Sequence, residues 1–362
     1  MRAQINLIAN LVIALALIFT SCALMSDVYR VEHAGAERIF FETADGCKLS
    51  VLHFKPAMKR YGFPLVLCHG FTSTEYTYDI GERRSLAAYL AERGFDVFVV
   101  NLRGRGEGYS IPEKLKKRGW GVSDYVRYDV PAIISGVLNK SGSDKLFWVG
   151  HSMGGILIFW HESLGGDERV AGIVAVSSPA SFRAMDEYTK HLFSYCPLLP
   201  CCGVLPTEAP AKVMAPLARF NPKFSEWVAN PSDFPQDIEA RYMYNSVPDI
   251  SVREVKDFCL LGEQGELVDR RTGFVMRYNL QKVKIPIIVI AGTGDNLAPP
   301  HNVYPFYSLS SSFDKTYIEF GEKNGFSHDY GHGDILIGDH SYDEVFPVIA
   351  DWLKQRDPVS TF

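Results

Sequence analysis

The chain has 362 residues, 47% of them hydrophobic and 22% charged, with a formal net charge of −5. This is an ordinary globular composition with ample core, and the charge balance leaves no basic footprint for nucleic acid. The length allows two domains, or one α/β domain carrying an insertion, and no Cys or His spacing resembles a zinc site.

The first 25 residues differ in kind from the rest. Arg2 is the only charge before Asp27, and Leu11 to Phe19 form an apolar core followed by Thr20, Ser21 and Cys22. A charged start, an apolar stretch and small residues make an export signal over residues 1–22. Its ending resembles that of bacterial lipoprotein signals, which implies cleavage before Cys22 and lipidation of that residue. The uncharged run is also long enough for an uncleaved membrane anchor. Either outcome puts the body outside the cytoplasm, with a membrane surface as partner. Residues 23–36 read as a linker and 37–362 as the main domain.

Ile39–Phe41 and Leu49–Phe54 are expected to be strands joined at Asp45-Gly46, a hairpin signal. Strands at Leu65, Val97, Leu146 and Val170 then alternate with helices near Ser85–Arg93, near Tyr125–Leu138 and after Ser152. Such alternation predicts an α/β fold, a mostly parallel sheet with helices on both faces. The first of these strands ends in Cys68-His69-Gly70-Phe71. After the strand at Val97 comes Asn101-Leu102-Arg103-Gly104-Arg105-Gly106. The two arginines suit a solvated loop or carboxylate partners, and the glycines lack the Lys-Ser/Thr ending of a phosphate loop.

The most informative stretch is Gly150-His151-Ser152-Met153-Gly154, a G-x-S-x-G between an apolar strand and an apolar helix. That is the context of a nucleophile elbow, with Ser152 lifted clear of the sheet. An oxyanion formed there needs two backbone N–H groups. Met153 follows the nucleophile, and Phe71 sits in the loop after the earlier strand.

Alternation stops at Ser178-Pro179 and resumes at Ile287. The interval, about 179–283, is rich in Pro, Tyr, Phe and Leu and is expected to form a lid, a minority of its apolar residues lining an acyl pocket. Within it, Ser251 and Glu254 have capping-box spacing ahead of a helix stopping at Gly262. Cys196, Cys201, Cys202 and Cys259 also lie there, and export would permit bridges, though the pairing cannot be read. Cys68 reads as a small core residue.

The strand Ile285–Ala291 runs into a Gly-rich loop ending at Asp295, and Thr316–Phe320 leads to a loop holding His328 and His332. Glycines on both sides of His332 favour it over His328. Ser152, Asp295 and His332 then stand in the chain order of an α/β-hydrolase triad.

On these residues the chain resembles an α/β-hydrolase from about Arg38 onward. The His-x-Asp of the last loop resembles a bacterial lipase-like branch similar to acid lipases and polyhydroxyalkanoate synthases. The synthases use Cys as nucleophile; Ser152 here favours hydrolysis over polymerisation. The resemblance implies a serine hydrolase of carboxylic esters with an apolar acyl part, a lipase or esterase needing no cofactor or metal. An acyltransferase using the same triad is the alternative, and a non-catalytic surface-anchored binding protein a more distant one.

Overall fold

A computed structural model describes residues 28–182, 187–220, 226 and 229–361. The export signal and Cys22 lie outside the described residues. Among those described, no helix is long and apolar enough to cross a membrane.

Eight strands form one sheet: β1 (Ala36–Glu42), β2 (Lys48–Phe54), β3 (Leu65–Cys68), β4 (Val97–Val100), β5 (Leu146–His151), β6 (Val170–Val176), β7 (Ile287–Gly292) and β8 (Lys315–Phe320). Their spatial order is β1-β2-β4-β3-β5-β6-β7-β8. The first two pairings, β1 with β2 and β2 with β4, are antiparallel, and every later one is parallel.

The central strands read as continuous apolar runs because both faces are covered. Side chains alternate across the sheet. Val66, Trp148, Ile173 and Val289 enter one core with helices α2 (Val130–Ser141) and α3 (Met153–Ser163). Leu65, Leu67, Val149, Val174 and Ile288 enter the other, with α1 (Leu86–Glu92) and the C-terminal α6 (Ser341–Arg356). Ser85 caps α1 by accepting the Ala88 N–H at 3.0 Å. Helical structure starts ahead of α2, at Val122, and passes through a wide π turn at Tyr125–Asp129. Pro131 has no N–H to give to that turn.

Among the described residues, the segment between β6 and β7 adds no strand to the sheet. It holds α4 (Gln236–Ser246), α5 (Val252–Gln264), shorter helices and two-residue ribbons, and the Cys196–Cys259 disulfide ties α5 to the stretch ahead of it. Two expectations fail here. Ser251 caps nothing: its hydroxyl accepts the Trp120 N–H at 2.8 Å and donates to the Trp120 carbonyl at 2.6 Å. Glu254 turns to Arg105 and Tyr125 instead of its own helix start. Nor does Gly262 end the helix, which runs on to Gln264 and stops at Gly265, a left-handed position at φ 72°.

The described part of the linker is pinned to the body, since Asn245 donates to the Tyr29 carbonyl at 2.7 Å and accepts the Val31 N–H at 3.3 Å.

Candidate active site

The parallel strands deliver their C-terminal ends to one edge, where open α/β sheets carry their sites. Ser152 follows β5 with φ 51° and ψ −119°, a region L-residues rarely occupy. Its N–H donates to the Val176 carbonyl at 2.9 Å, anchoring the turn to the neighbouring strand. The flanking glycines are required by contact: a Cβ on Gly150 would stand 2.3 Å from the Gly155 nitrogen, and one on Gly154 2.0 Å from the Cys68 carbonyl oxygen. Met153 opens α3, so its N–H is among the first-turn donors with no acceptor inside the helix.

The loop after β3 lies directly against this turn. A Cβ on Gly70 would be 2.9 Å from Ser152 Cβ and 3.4 Å from Ser152 Oγ. The Gly70 carbonyl is held by two donors, His69 Nδ1 at 2.9 Å and Arg105 Nη1 at 3.3 Å. His69 Nε2 accepts the Leu102 N–H at 3.3 Å, so its proton sits on Nδ1. Burial, with the Arg105 charge beside it, holds His69 neutral, well below the usual imidazole range. In a trans peptide the N–H points opposite to the C=O. Fixing the Gly70 carbonyl therefore fixes the Phe71 N–H on the other side.

Behind this loop both arginines of the Asn101–Gly106 segment are buried, not solvated. Arg103 bonds Asp129 at 2.7 Å and Asp45 at 2.7 and 2.9 Å. Arg105 pairs with Glu254 of α5, whose other oxygen takes the Tyr125 hydroxyl at 2.7 Å. Helix α5 touches the loop a second time where the Phe258 ring stacks on Phe71, centroids 4.4 Å apart. Phe182 meets Phe258 edge-on.

Asp295 and His332 come together at the far side of the edge, with Oδ2 to Nδ1 2.8 Å. Asp295 is buried, and its Oδ1 accepts the N–H groups of Leu297 and Ala298 at 2.9 and 2.7 Å. Burial alone would raise its pKa; the His332 charge and these hydrogen bonds outweigh burial and hold it below the usual carboxylate range. His151 ties the loop of His332 to the nucleophile turn, its Nε2 donating to the His332 carbonyl at 2.9 Å. Burial, then the neighbouring His332, depresses the His151 pKa to about 3, so it is a neutral brace.

The competing residues of that loop go elsewhere. His328 faces Asp233 and Asp334, Asp329 accepts from Thr293 at 2.7 Å, and Asp334 accepts N–H groups of Gly331 and Asn230. Of the two readings of the arginine pair, carboxylate partners is the one the fold adopts, though the sequence did not single out Glu254; sequence reasoning missed the brace at His151. It also missed Asp233, His328 and His340, a group whose donor atoms could hold a metal ion.

The chain matches the alpha/beta hydrolase fold family over residues 64–329. It is 23% identical over 329 residues to the poly(3-hydroxyalkanoate) polymerase subunit PhaC of Haloferax mediterranei, covering 87% of this chain and 63% of that protein. The chain thus spans less than two thirds of that relative's length. Among solved structures it is similar to an esterase from Exiguobacterium antarcticum, with TM-score 0.62 and 16% identity over 88% of this chain and 100% of that one. A soluble variant of the monoglyceride lipase of Saccharomyces cerevisiae, in complex with a substrate analogue, gives TM-score 0.59 and 20% identity over 91% and 97%.

Proposed function

The chain belongs to the α/β-hydrolase family, and on that premise we propose that it is a serine hydrolase of carboxylic esters with an apolar acyl part. What supports this most is the 2.8 Å pairing of Asp295 with His332 on the sheet edge that also carries Ser152 in its strained turn. Ser152 Oγ attacks the ester carbonyl while His332 Nε2 takes its proton. Asp295 fixes the imidazole tautomer and steadies the imidazolium. The oxyanion is met by the N–H groups of Phe71 and Met153. His332 then protonates the leaving alcohol, and water, deprotonated by the same imidazole, releases the acid. Phe71, Phe182 and Phe258 give the acyl side an apolar wall, with the 179–283 segment as lid.

The test is labelling by a serine-directed fluorophosphonate together with turnover of esters of graded acyl length. Wild type labels and turns over, and Ser152→Ala does neither while unfolding at the same temperature. A labelled Ser152→Ala protein would move the nucleophile elsewhere. A wild type that never labels would favour a non-catalytic role. The polymerase relative is the observation behind a second reading, acyl transfer to an alcohol. Ester products formed with an added alcohol, in place of free acid, would support it.

We further propose that Cys22 is the lipidated residue of an exported, membrane-associated protein. The Cys196–Cys259 disulfide supports an oxidising compartment. Palmitate incorporation that disappears in Cys22→Ser is the expected result. A membrane-bound wild type that takes up no label would indicate the uncleaved anchor.

A further inference from the structure

We infer that Asp233, His328 and His340 form a structural binding site for a borderline divalent cation of the Zn2+ class. The three residues come from separate segments: Asp233 from the insertion just ahead of α4, His328 from the loop that carries His332, and His340 from the residue before α6. One donor atom from each lies within 4.8 Å of the others. His328 Nε2 stands 3.2 Å from Asp233 Oδ2 and 3.3 Å from Asp334 Oδ2. Ligand atoms around a tetrahedral zinc, with bonds of 2.0–2.1 Å, stand about 3.3 Å apart.

A hydrogen-bonded ion pair does not account for all of this geometry. Asp233 is 1% exposed, and its Oδ2 has no hydrogen-bond partner despite the nearness of His328 Nε2. A buried carboxylate oxygen without a donor is costly, and this one is aimed into the cluster. Asp233 Oδ1 receives the His340 N–H at 3.2 Å and lies in close contact with His340 Nδ1. With both imidazoles neutral, a divalent cation would balance the two buried carboxylates of Asp233 and Asp334.

The surroundings suit ligands held in place. His328 Nδ1 is bonded to Ser327 Oγ at 3.0 Å, and Asp334 is fixed by the Gly331 and Asn230 N–H groups. Asp334 Oδ2, 3.3 Å from His328 Nε2 and accepting the Gly331 N–H at 2.9 Å, stands behind His328 as a second carboxylate and leaves the fourth position to water. Two imidazole nitrogens with carboxylate oxygen select zinc over calcium or magnesium. The half-exposed His340 ring gives the ion its way in. The bound ion would cross-link the insertion to the His332 loop and the start of α6, about a hundred residues further along the chain.

The experiment is equilibrium uptake of Zn2+ and Ca2+ by the full chain after chelator treatment and dialysis, with thermal unfolding alongside. His332 and the exposed thiols of Cys201 and Cys202 are other possible zinc donors. Uptake is therefore measured in a His332→Ala, Cys201→Ser, Cys202→Ser background, which also makes the result independent of catalysis. One Zn2+ per chain is expected, at about micromolar Kd or tighter, with a raised unfolding temperature. Adding His340→Ala should weaken uptake by about 10-fold or more and abolish the thermal shift. Asp233→Asn should do the same. The inference is overturned if the background takes up no zinc, if either added variant leaves uptake unchanged, or if calcium binds in preference to zinc.

Discussion

His328 and His332 lie four residues apart in one loop, and each meets a buried aspartate, yet the two are suited to opposite tasks. His332 has one carboxylate, Asp295, on its Nδ1. His328 has two, Asp233 and Asp334, both facing its Nε2. Burial alone would lower the His328 pKa; the two aspartates facing Nε2 outweigh it and lift it to about 9. Without an ion its Nε2 holds a proton at neutral pH, and with one its lone pair belongs to the metal. Either way it is unavailable as a base. One carboxylate orients an imidazole and leaves the other nitrogen for chemistry; two on the same nitrogen occupy it.

The sharpest way to break this contrast is to remove each ring in turn. His332→Ala should cost about 10⁴-fold or more in kcat, because it removes the base from a unit that acts together. His328→Ala should cost less than about tenfold and show mainly as a lower unfolding temperature, since it leaves Asp233 and Asp334 buried without their cation. Steady-state kinetics on a soluble short-chain ester decide it, and reversed magnitudes would reassign the base. The aspartates should follow their histidines. Asp295→Asn favours the wrong tautomer and should lose up to about 10⁴-fold in kcat. Asp334→Asn should again act through stability, and a near-normal rate for Asp295→Asn would put Asp334 back in contention.

Part of the contrast was legible in the chain and part was not. The β5 and β7 strands could be read because they are apolar on both faces, and Ser152 and Asp295 because each follows such a strand at once. His332 was favoured over His328 only by its flanking glycines. The partners of His328 were invisible, because Asp233 lies about a hundred residues away in a segment with no regular pattern. Ser251 and Glu254 misled for the same reason. Their spacing fits a capping box, but Trp120 and Arg105, brought in by the fold, offered them stronger partners. Of the four cysteines in the insertion, the structure pairs Cys196 with Cys259 and leaves Cys201 and Cys202 exposed as thiols, a choice that depends on where α5 packs.

Arg105 extends the charge count to the oxyanion side. It holds the Gly70 carbonyl, and Glu254 balances it from α5. Removing Arg105 alone would strand a buried carboxylate, so the informative variant is Arg105→Met with Glu254→Gln, which removes both charges together. It should fold at least as well as either single variant. Its kcat should fall by about 10- to 100-fold with KM little changed, since a misaimed Phe71 N–H loses stabilisation only when the oxyanion forms. A rise in KM at constant kcat would instead assign the pair to substrate binding.

Glu162 is the opposite limit from His328: a buried charge site with no bonded cation among the described residues. It lies on α3 behind the nucleophile, 1% exposed; one oxygen accepts the Asp167 N–H at 3.2 Å and the other has no partner. Burial is the main cause that lifts its carboxyl to about 8; the Asp167 N–H opposes this and the Asp167 charge adds to it. The unfolded chain gives up that proton near the ordinary glutamate value of 4.5. Between the two values the folded state holds a proton that the unfolded state has released, so stability falls as pH rises from about 5 to about 8. Glu162→Gln has the shape of the neutral acid and no proton to lose. Its urea midpoint should match wild type near pH 5 and exceed it near pH 8, while kcat at neutral pH is unchanged because Glu162 touches no part of the proposed site. Parallel midpoint curves for the two proteins across this range would mean that Glu162 is ionised in the fold and that a cation has been found for it.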